Sequence, residues 1–136
     1  MAIKVLVDTN AILALLNAHD PNHLAAKRLL PLSFILPSLV LPEVDYLAST
    51  RLGASVARAF QRAVIRGDFE LVHTTTSDFT RALEIQEQQS DLTLGLVDSS
   101  IMAIAERLQI PRVFTFDRRH FLAVKPKGLS HLEILP

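Results

Sequence analysis

Apolar positions along the 136-residue chain alternate between short β-branched runs and longer stretches with helical spacing. Ile3-Lys4-Val5-Leu6-Val7 predicts a strand, and the almost wholly apolar stretch 10–17 predicts a helix that must be covered on most of its sides. Asp20-Pro21 supplies an N-cap and a first helical residue, so a helix is expected to run from there until Pro31. A second short strand follows over 33–36. Beyond Pro37 the pattern predicts helices over 39–51 and 54–66, with Gly53 and Gly67 as their stops. A strand at 69–73, a helix at 77–89 capped by Ser77 or Asp78, and a helix at 97–108 come next. Strands over 112–116 and 132–135 close the chain.

Strands separated by helices, with no Asn-Gly or similar two-residue hairpin signal, predict parallel pairing through right-handed crossovers. The expected architecture is α/β: a three-layer α/β/α sandwich around a mostly parallel sheet of about five strands, forming one domain over 1–136. In such open sheets ligands bind beyond the carboxyl ends of the strands, where the strand order reverses. Chemistry is to be sought there.

Composition narrows the chemistry. At 15.1 kDa the chain suffices for one core, and 49% apolar residues with a mean hydropathy of +0.29 exclude disorder. The longest apolar run, Ala11 to Leu16, falls far short of the ~20 residues of a membrane span, and the N-terminus lacks the charged-then-apolar pattern of a signal peptide. A soluble, cytoplasmic protein is expected, with no membrane partner. The absence of Cys removes disulfide scaffolds, thiol catalysis and thiolate-ligated zinc. Lys+Arg and Asp+Glu balance at 14 each, yet they segregate: Arg51, Arg58, Arg62 and Arg66 precede an acidic stretch from Asp68 to Asp98, and Arg112, Arg118, Arg119, Lys125 and Lys127 follow it. That layout suits local phosphate contacts better than a uniformly basic nucleic-acid surface, and equally suits solvated helix faces.

Four acids fall where the architecture puts its functional edge. Asp8 directly follows the first strand and Asp117 the strand at 112–116, while Glu43 and Asp98 lie in the first turns of helices entered after strands. Singly, each suits a helix start, where a cap contributes roughly 0.5–2 kcal/mol and a charge ~0.3–1 kcal/mol. Together they cannot: two carboxylates ~4 Å apart repel by about 4 kcal/mol at an effective dielectric of ~20, more than capping returns. Convergence therefore implies a cation. Oxygen ligands without Cys or suitably spaced His select Mg²⁺ or Mn²⁺ over zinc.

Other motifs carry less. His19 and His23 are spaced i, i+4 but lack the intervening Glu of a metalloprotease, and surface positions explain them. His120, beside Arg118 and Arg119, is a weak candidate for touching a phosphate. The four glycines are scattered, so no phosphate-cradling loop exists, and there is no G-x-S-x-G elbow.

The segments Val7-Asp8-Thr9-Asn10, Leu41-Pro42-Glu43-Val44, Gly95-Leu96-Val97-Asp98 and Thr115-Phe116-Asp117-Arg118-Arg119-His120-Phe121 resemble, in order and separation, the PIN-domain ribonucleases and among them the VapC-like toxins. The resemblance implies an acidic pocket binding Mg²⁺ or Mn²⁺ and endonucleolytic cleavage of RNA. Carried over position by position, it makes Asp8 and Asp98 the principal metal ligands, Glu43 a further ligand or water-orienting group, and Asp117 the fourth acid. Asn10 and Thr115 resemble polar residues that the family sets beside these acids. Arg112, Arg118 and Arg119 become candidates for contacting RNA phosphates. The resemblance further implies a homodimer and a small antitoxin protein as partner; the high apolar fraction agrees with helix surface around 39–47 being covered by another chain. The alternatives are a receiver-like Mg²⁺-binding signalling module, which expects adjacent acids after the first strand where Asp8 is followed by Thr9, and a non-catalytic RNA-binding domain of the same fold.

Overall fold

In a computed structural model, which describes residues 2–136, the apolar runs form a single parallel sheet. Its strands are β1 (Lys4–Val7), β2 (Ser33–Pro37), β3 (Glu70–Val72), β4 (Arg112–Phe114) and β5 (Glu133–Leu135), in the spatial order β3-β2-β1-β4-β5. All four pairings are parallel, with Val5 opposite Phe34, Leu6 opposite Val113 and Val113 opposite Ile134. The sheet is thus wholly parallel, not merely mostly so. Val5, Leu6, Val7, Leu36, Val113 and Phe114 are fully buried, as strands covered on both faces must be.

Helices α1 (Thr9–Leu16), α2 (His23–Lys27), α3 (Val40–Arg51) and α4 (Ala54–Arg66) occur while the chain steps from β1 out to β3. Helices α5 (Thr76–Gln88), α6 (Leu96–Leu108) and α7 (Arg118–Ala123) occur as it returns to β4 and β5. Right-handed crossovers taken in opposite directions put the two sets on opposite faces. The packing agrees: α1 contacts α2 and α3, α3 contacts α4, whereas α6 contacts α5 and α7. The expected three layers are therefore present. Phe60, Phe69, Phe34 and Phe114 run through the core as a chain of rings with centroids 5.5, 5.8 and 5.7 Å apart.

Local expectations fail where side chains compete for the backbone. The helix expected from Asp20 begins only at His23, because the Asp20 carboxylate accepts the Asn22 amide at 2.7 Å and closes a turn instead. Helix α5 is capped by Thr75, not Ser77 or Asp78; Thr75 Oγ1 accepts the Asp78 amide at 3.1 Å while Asp78 Oδ2 accepts the Thr75 amide at 2.9 Å. The strand expected to reach Phe116 stops at Phe114, and the unforeseen helix α7 starts at Arg118. Between them the Thr115 and Asp117 side chains take over the hydrogen bonding. At the end of α4, Gly67 (φ 92°) provides the left-handed stop read from the sequence.

The strand order reverses between β1 and β4. Residues 8–10 leave β1 and residues 115–117 leave β4 side by side at the carboxyl edge, which is where this topology opens its crevice.

Candidate functional site

Asp8 ends β1 and caps α1. It is only 4% exposed, and its backbone amide still donates to the Phe114 carbonyl at 3.0 Å, so the strand pairing itself fixes its position. Its Oδ1 accepts the Thr9 amide at 2.7 Å and its Oδ2 accepts the Thr115 hydroxyl at 2.8 Å. Thr115, 1% exposed, is saturated: its oxygen also accepts Asn10 Nδ2 at 3.2 Å and the Asp117 amide at 3.0 Å. Asn10 in turn accepts the Phe116 amide at 3.0 Å through Oδ1. This network stitches the two strand ends across the switch point and orders the acids at both.

Glu43 comes from the first turn of α3, exposed, where its Oε1 accepts the Thr9 hydroxyl at 2.5 Å. Asp98 comes from the first turn of α6, with its side chain 24% exposed. Asp117 caps α7, accepting the His120 amide at 3.3 Å through Oδ1. Asp98 and Asp117 are thus tied to helix N-termini, whose positive ends attract carboxylates. Four acids distant in sequence lie near enough for their charges to act on one another.

Burial and the neighbouring charges act on two of them, Asp8 and Asp98. Burial raises Asp8 above the usual carboxylate range, with Glu43 and Asp117 adding repulsion, while the Thr115 and Thr9 hydrogen bonds act against it. Asp98 is pushed up to about 7, first by burial and then by the charges of Asp8 and Asp117; Glu43 adds to this and His120 opposes it. A carboxyl raised by burial and further by neighbouring carboxylates marks a site deficient in positive charge. One oxygen each from Asp98 and Asp117 lie within 4.8 Å of each other and of a His120 ring nitrogen, a spacing that suits a cation, and Asp8 and Glu43 lie near enough for their charges to act on Asp98.

Residues 5–126 match the PIN domain family. The chain belongs to that family. Over 135 residues it is 30% identical to ribonuclease VapC26 of Mycobacterium tuberculosis, a match spanning 97% of this chain and 100% of that protein. The crystal structure of Mycobacterium tuberculosis VapC20, described as a sarcin–ricin loop cleaving toxin, superposes with a TM-score of 0.82 at 25% identity, covering 97% of this chain and 99% of that one. A toxin–antitoxin complex from Klebsiella pneumoniae contains a chain of the same fold, with a TM-score of 0.67 at 18% identity over 96% of this chain and 99% of that one.

Within this PIN domain the arginines read from the sequence separate. Arg112 opens β4, at the end of the sheet remote from the acids, and pairs with Glu133 at 3.3 Å; the structure does not bring it to the pocket. Arg118 and Arg119 lie exposed in the first turn of α7, next to Asp117, and neither forms an ion pair among the described residues.

His120 is the member the sequence undervalued. Its Nδ1 lies 2.6 Å from Asp117 Oδ2 and 3.8 Å from Asp98 Oδ2, and its Nε2 lies 3.1 Å from the Leu92 carbonyl. A carbonyl only accepts, so the Leu92 contact calls for a proton on Nε2, and the Asp117 carboxyl oxygen faces Nδ1 at hydrogen-bond distance. The hydrogen bond to Asp117 raises the imidazole above its usual range, with the Asp117 and Asp98 charges adding to it. Both ring nitrogens of this weak phosphate candidate are engaged within the protein. The spacing Asp117-x-x-His120 was the signal available, since a cap and its N3 residue face each other once the helix starts at Arg118.

Proposed function

We propose that this protein is a divalent-metal-dependent endoribonuclease and the toxin of a toxin–antitoxin pair. What supports the reading is that Asp8, Glu43 and Asp117 lie near enough to act on Asp98, whose carboxyl is raised to about 7 by burial first and by their charges after it. Kinship to ribonuclease VapC26 over nearly the whole chain supports RNA as the substrate.

Asp8 and Asp98 would hold a Mg²⁺ or Mn²⁺ ion, with Glu43 and Asp117 completing the acidic wall. A divalent ion bound there supplies activation of water and offsets charge on the phosphate oxygens during in-line hydrolysis. The chain's own residues do the rest. Glu43, exposed at the mouth and aimed by Thr9, orients the attacking water and accepts its proton. Thr115 and Asn10 keep Asp8 and Asp117 in register. Arg118 and Arg119, exposed beside the acids, take flanking phosphates of the strand. With seven Phe, mostly in the core, and one Tyr, stacking on bases contributes little, so the RNA is selected by shape.

The antitoxin is read onto an apolar groove of about 470 Å³ lined by Ile12, Leu16, Leu30, Phe34, Phe60 and Phe69. We further read the protein as a homodimer acting in the cytoplasm; among the described residues no helix is long and apolar enough to cross a membrane.

The test is cleavage of RNA by the purified protein with Mn²⁺ or Mg²⁺ and with EDTA, alongside Asp8→Asn and Asp98→Asn. Metal-dependent cleavage lost in both variants is expected. Cleavage that persists in EDTA, or in both variants, overturns the assignment.

A further inference from the structure

The two acids on the α6–α7 side of the pocket sit on separate elements. Asp98 belongs to α6, which follows a turn at Ser90–Leu92 and a left-handed Thr93 (φ 52°); Asp117 belongs to the cap of α7. Among the described residues, neither acid hydrogen-bonds the other's element. A single side chain spans the gap: His120 reaches Asp117 Oδ2 through Nδ1 at 2.6 Å and the Leu92 carbonyl through Nε2 at 3.1 Å. Asp117 is also held by its Oδ1, which accepts the His120 amide. Both oxygens of Asp117 are therefore oriented by one residue, and that residue is anchored to the segment leading into Asp98.

We propose that His120 is the positioning residue of the acid pocket, a strut that holds the Asp117 carboxylate at a set distance from Asp98 by bracing α7 against the turn before α6. The proposal rests on the acid pocket being the metal-binding site. A phosphate contact is disfavoured by geometry, because both ring nitrogens are already engaged within the protein. Removing His120 leaves Asp117 with the helix cap alone and frees its carboxylate to swing toward the exposed Arg118 and Arg119. Partners that orient metal-binding groups in this way typically contribute 10–100-fold to affinity or activity.

The amide of Asn reproduces the position of Nδ1, and that of Gln the position of Nε2. Mn²⁺ binding to the metal-free full chain, read by electron paramagnetic resonance, and steady-state RNA cleavage are compared for wild type, His120→Ala, His120→Asn and His120→Gln, with Asp8→Asn as reference. The expected result is Mn²⁺ affinity about 10-fold weaker in His120→Ala, a fall in kcat with KM for RNA within twofold, and recovery toward wild type in His120→Asn, which keeps the contact to Asp117. His120→Gln should recover less. Unchanged or tighter Mn²⁺ binding in His120→Ala overturns the proposal, as does a rise in KM alone, which would make His120 an RNA contact. Nitrogen hyperfine coupling from an imidazole on wild-type Mn²⁺ also overturns it, since His120 would then be a ligand. Should His120→Ala not fold, His120→Asn and His120→Gln decide: equal Mn²⁺ affinity in both overturns the strut. Failure of the underlying reading is distinguishable, because Asp8→Asn would then bind Mn²⁺ as wild type does.

Discussion

The Thr115 hydroxyl donates its one proton to Asp8 Oδ2 at 2.8 Å, joining the ends of β4 and β1 across the point where the strand order reverses. Both groups are buried, so neither can turn to water for a replacement partner. Thr115→Val keeps the shape and removes the donor, leaving a buried carboxylate one hydrogen bond short. Urea titration should find it less stable by roughly 1–3 kcal/mol, and RNA cleavage should fall with it. Thr115→Ser should restore most of both. A Val variant as stable and active as wild type would separate this hydroxyl from the site.

Asp8→Asn and Asp98→Asn each remove a formal charge from the cation-deficient pocket. Cleavage of RNA in Mn²⁺ or Mg²⁺ should drop by at least about a hundredfold in either variant, and the double variant should lose little more than the worse single one, because the acids act as a unit. Additive losses in the double variant would mean two independent sites.

Mutual repulsion of the acids destabilises the metal-free protein, so occupation of the pocket should reverse it. Differential scanning calorimetry with excess Mn²⁺ should raise Tm of wild type, by about 2.7 kcal/mol of stabilisation at a hundredfold excess over Kd. Asp98→Asn should melt higher than wild type without metal and gain less from it. Identical melting of wild type with and without millimolar Mn²⁺ would contradict a shared pocket.

Asp98, partly buried, and Asp78, buried, set opposite pH limbs. Asp98 has a folded pKa of about 7, above its unfolded value near 3.8, so folding favours its protonated form: this stabilisation is complete below pH ~4 and is lost as pH rises through 7. Asp78, 3% exposed, titrates low: burial raises it, but Arg107 at 3.0 Å and the Thr75 contacts pull it below its usual value. Its stabilisation is present above the unfolded value and lost as pH falls through the lower folded one. In metal-free protein, Asp98→Asn should flatten the fall in stability between about pH 4 and 7, and Asp78→Asn should flatten the acid limb, in urea titrations at each pH. The reverse assignment would place the crowding elsewhere.

Breaking the Arg107–Asp78 pair by Arg107→Met leaves Asp78 buried and without its guanidinium, and deprives the His73 carbonyl of its donor at 3.1 Å. A loss on the order of 3 kcal/mol is expected in chemical denaturation, with cleavage by the folded protein unchanged, because these residues sit between α5 and α6 away from the acids. A stability change within 0.5 kcal/mol, the ordinary range of surface substitutions, would mean that the pair is screened by water.

The chain's own pattern determined a great deal. Apolar runs such as Val5-Leu6-Val7 can be satisfied only by a sheet covered on both faces, helices between them force parallel crossovers, and an acid following a strand in that topology must emerge at the carboxyl edge. Asp8, Glu43 and Asp98 were legible for that reason: their positions depend on element order, which periodicity reports. What lay beyond reach depended on contacts between segments far apart in sequence or on competition for a few backbone groups. Thr75 rather than Ser77 caps α5, and Thr115 and Asp117 end β4 early and start α7, because side-chain oxygens captured amides that a strand or longer helix would have used. Arg112 found its partner Glu133 only when β5 came to lie beside β4, and His120 became a bridge only when Leu92 was folded against it. Local periodicity decided which elements exist and at which edge the acids gather; the tertiary packing alone decided which groups hold those acids, since a hydrogen bond across the switch point has no trace in the spacing of either of its ends.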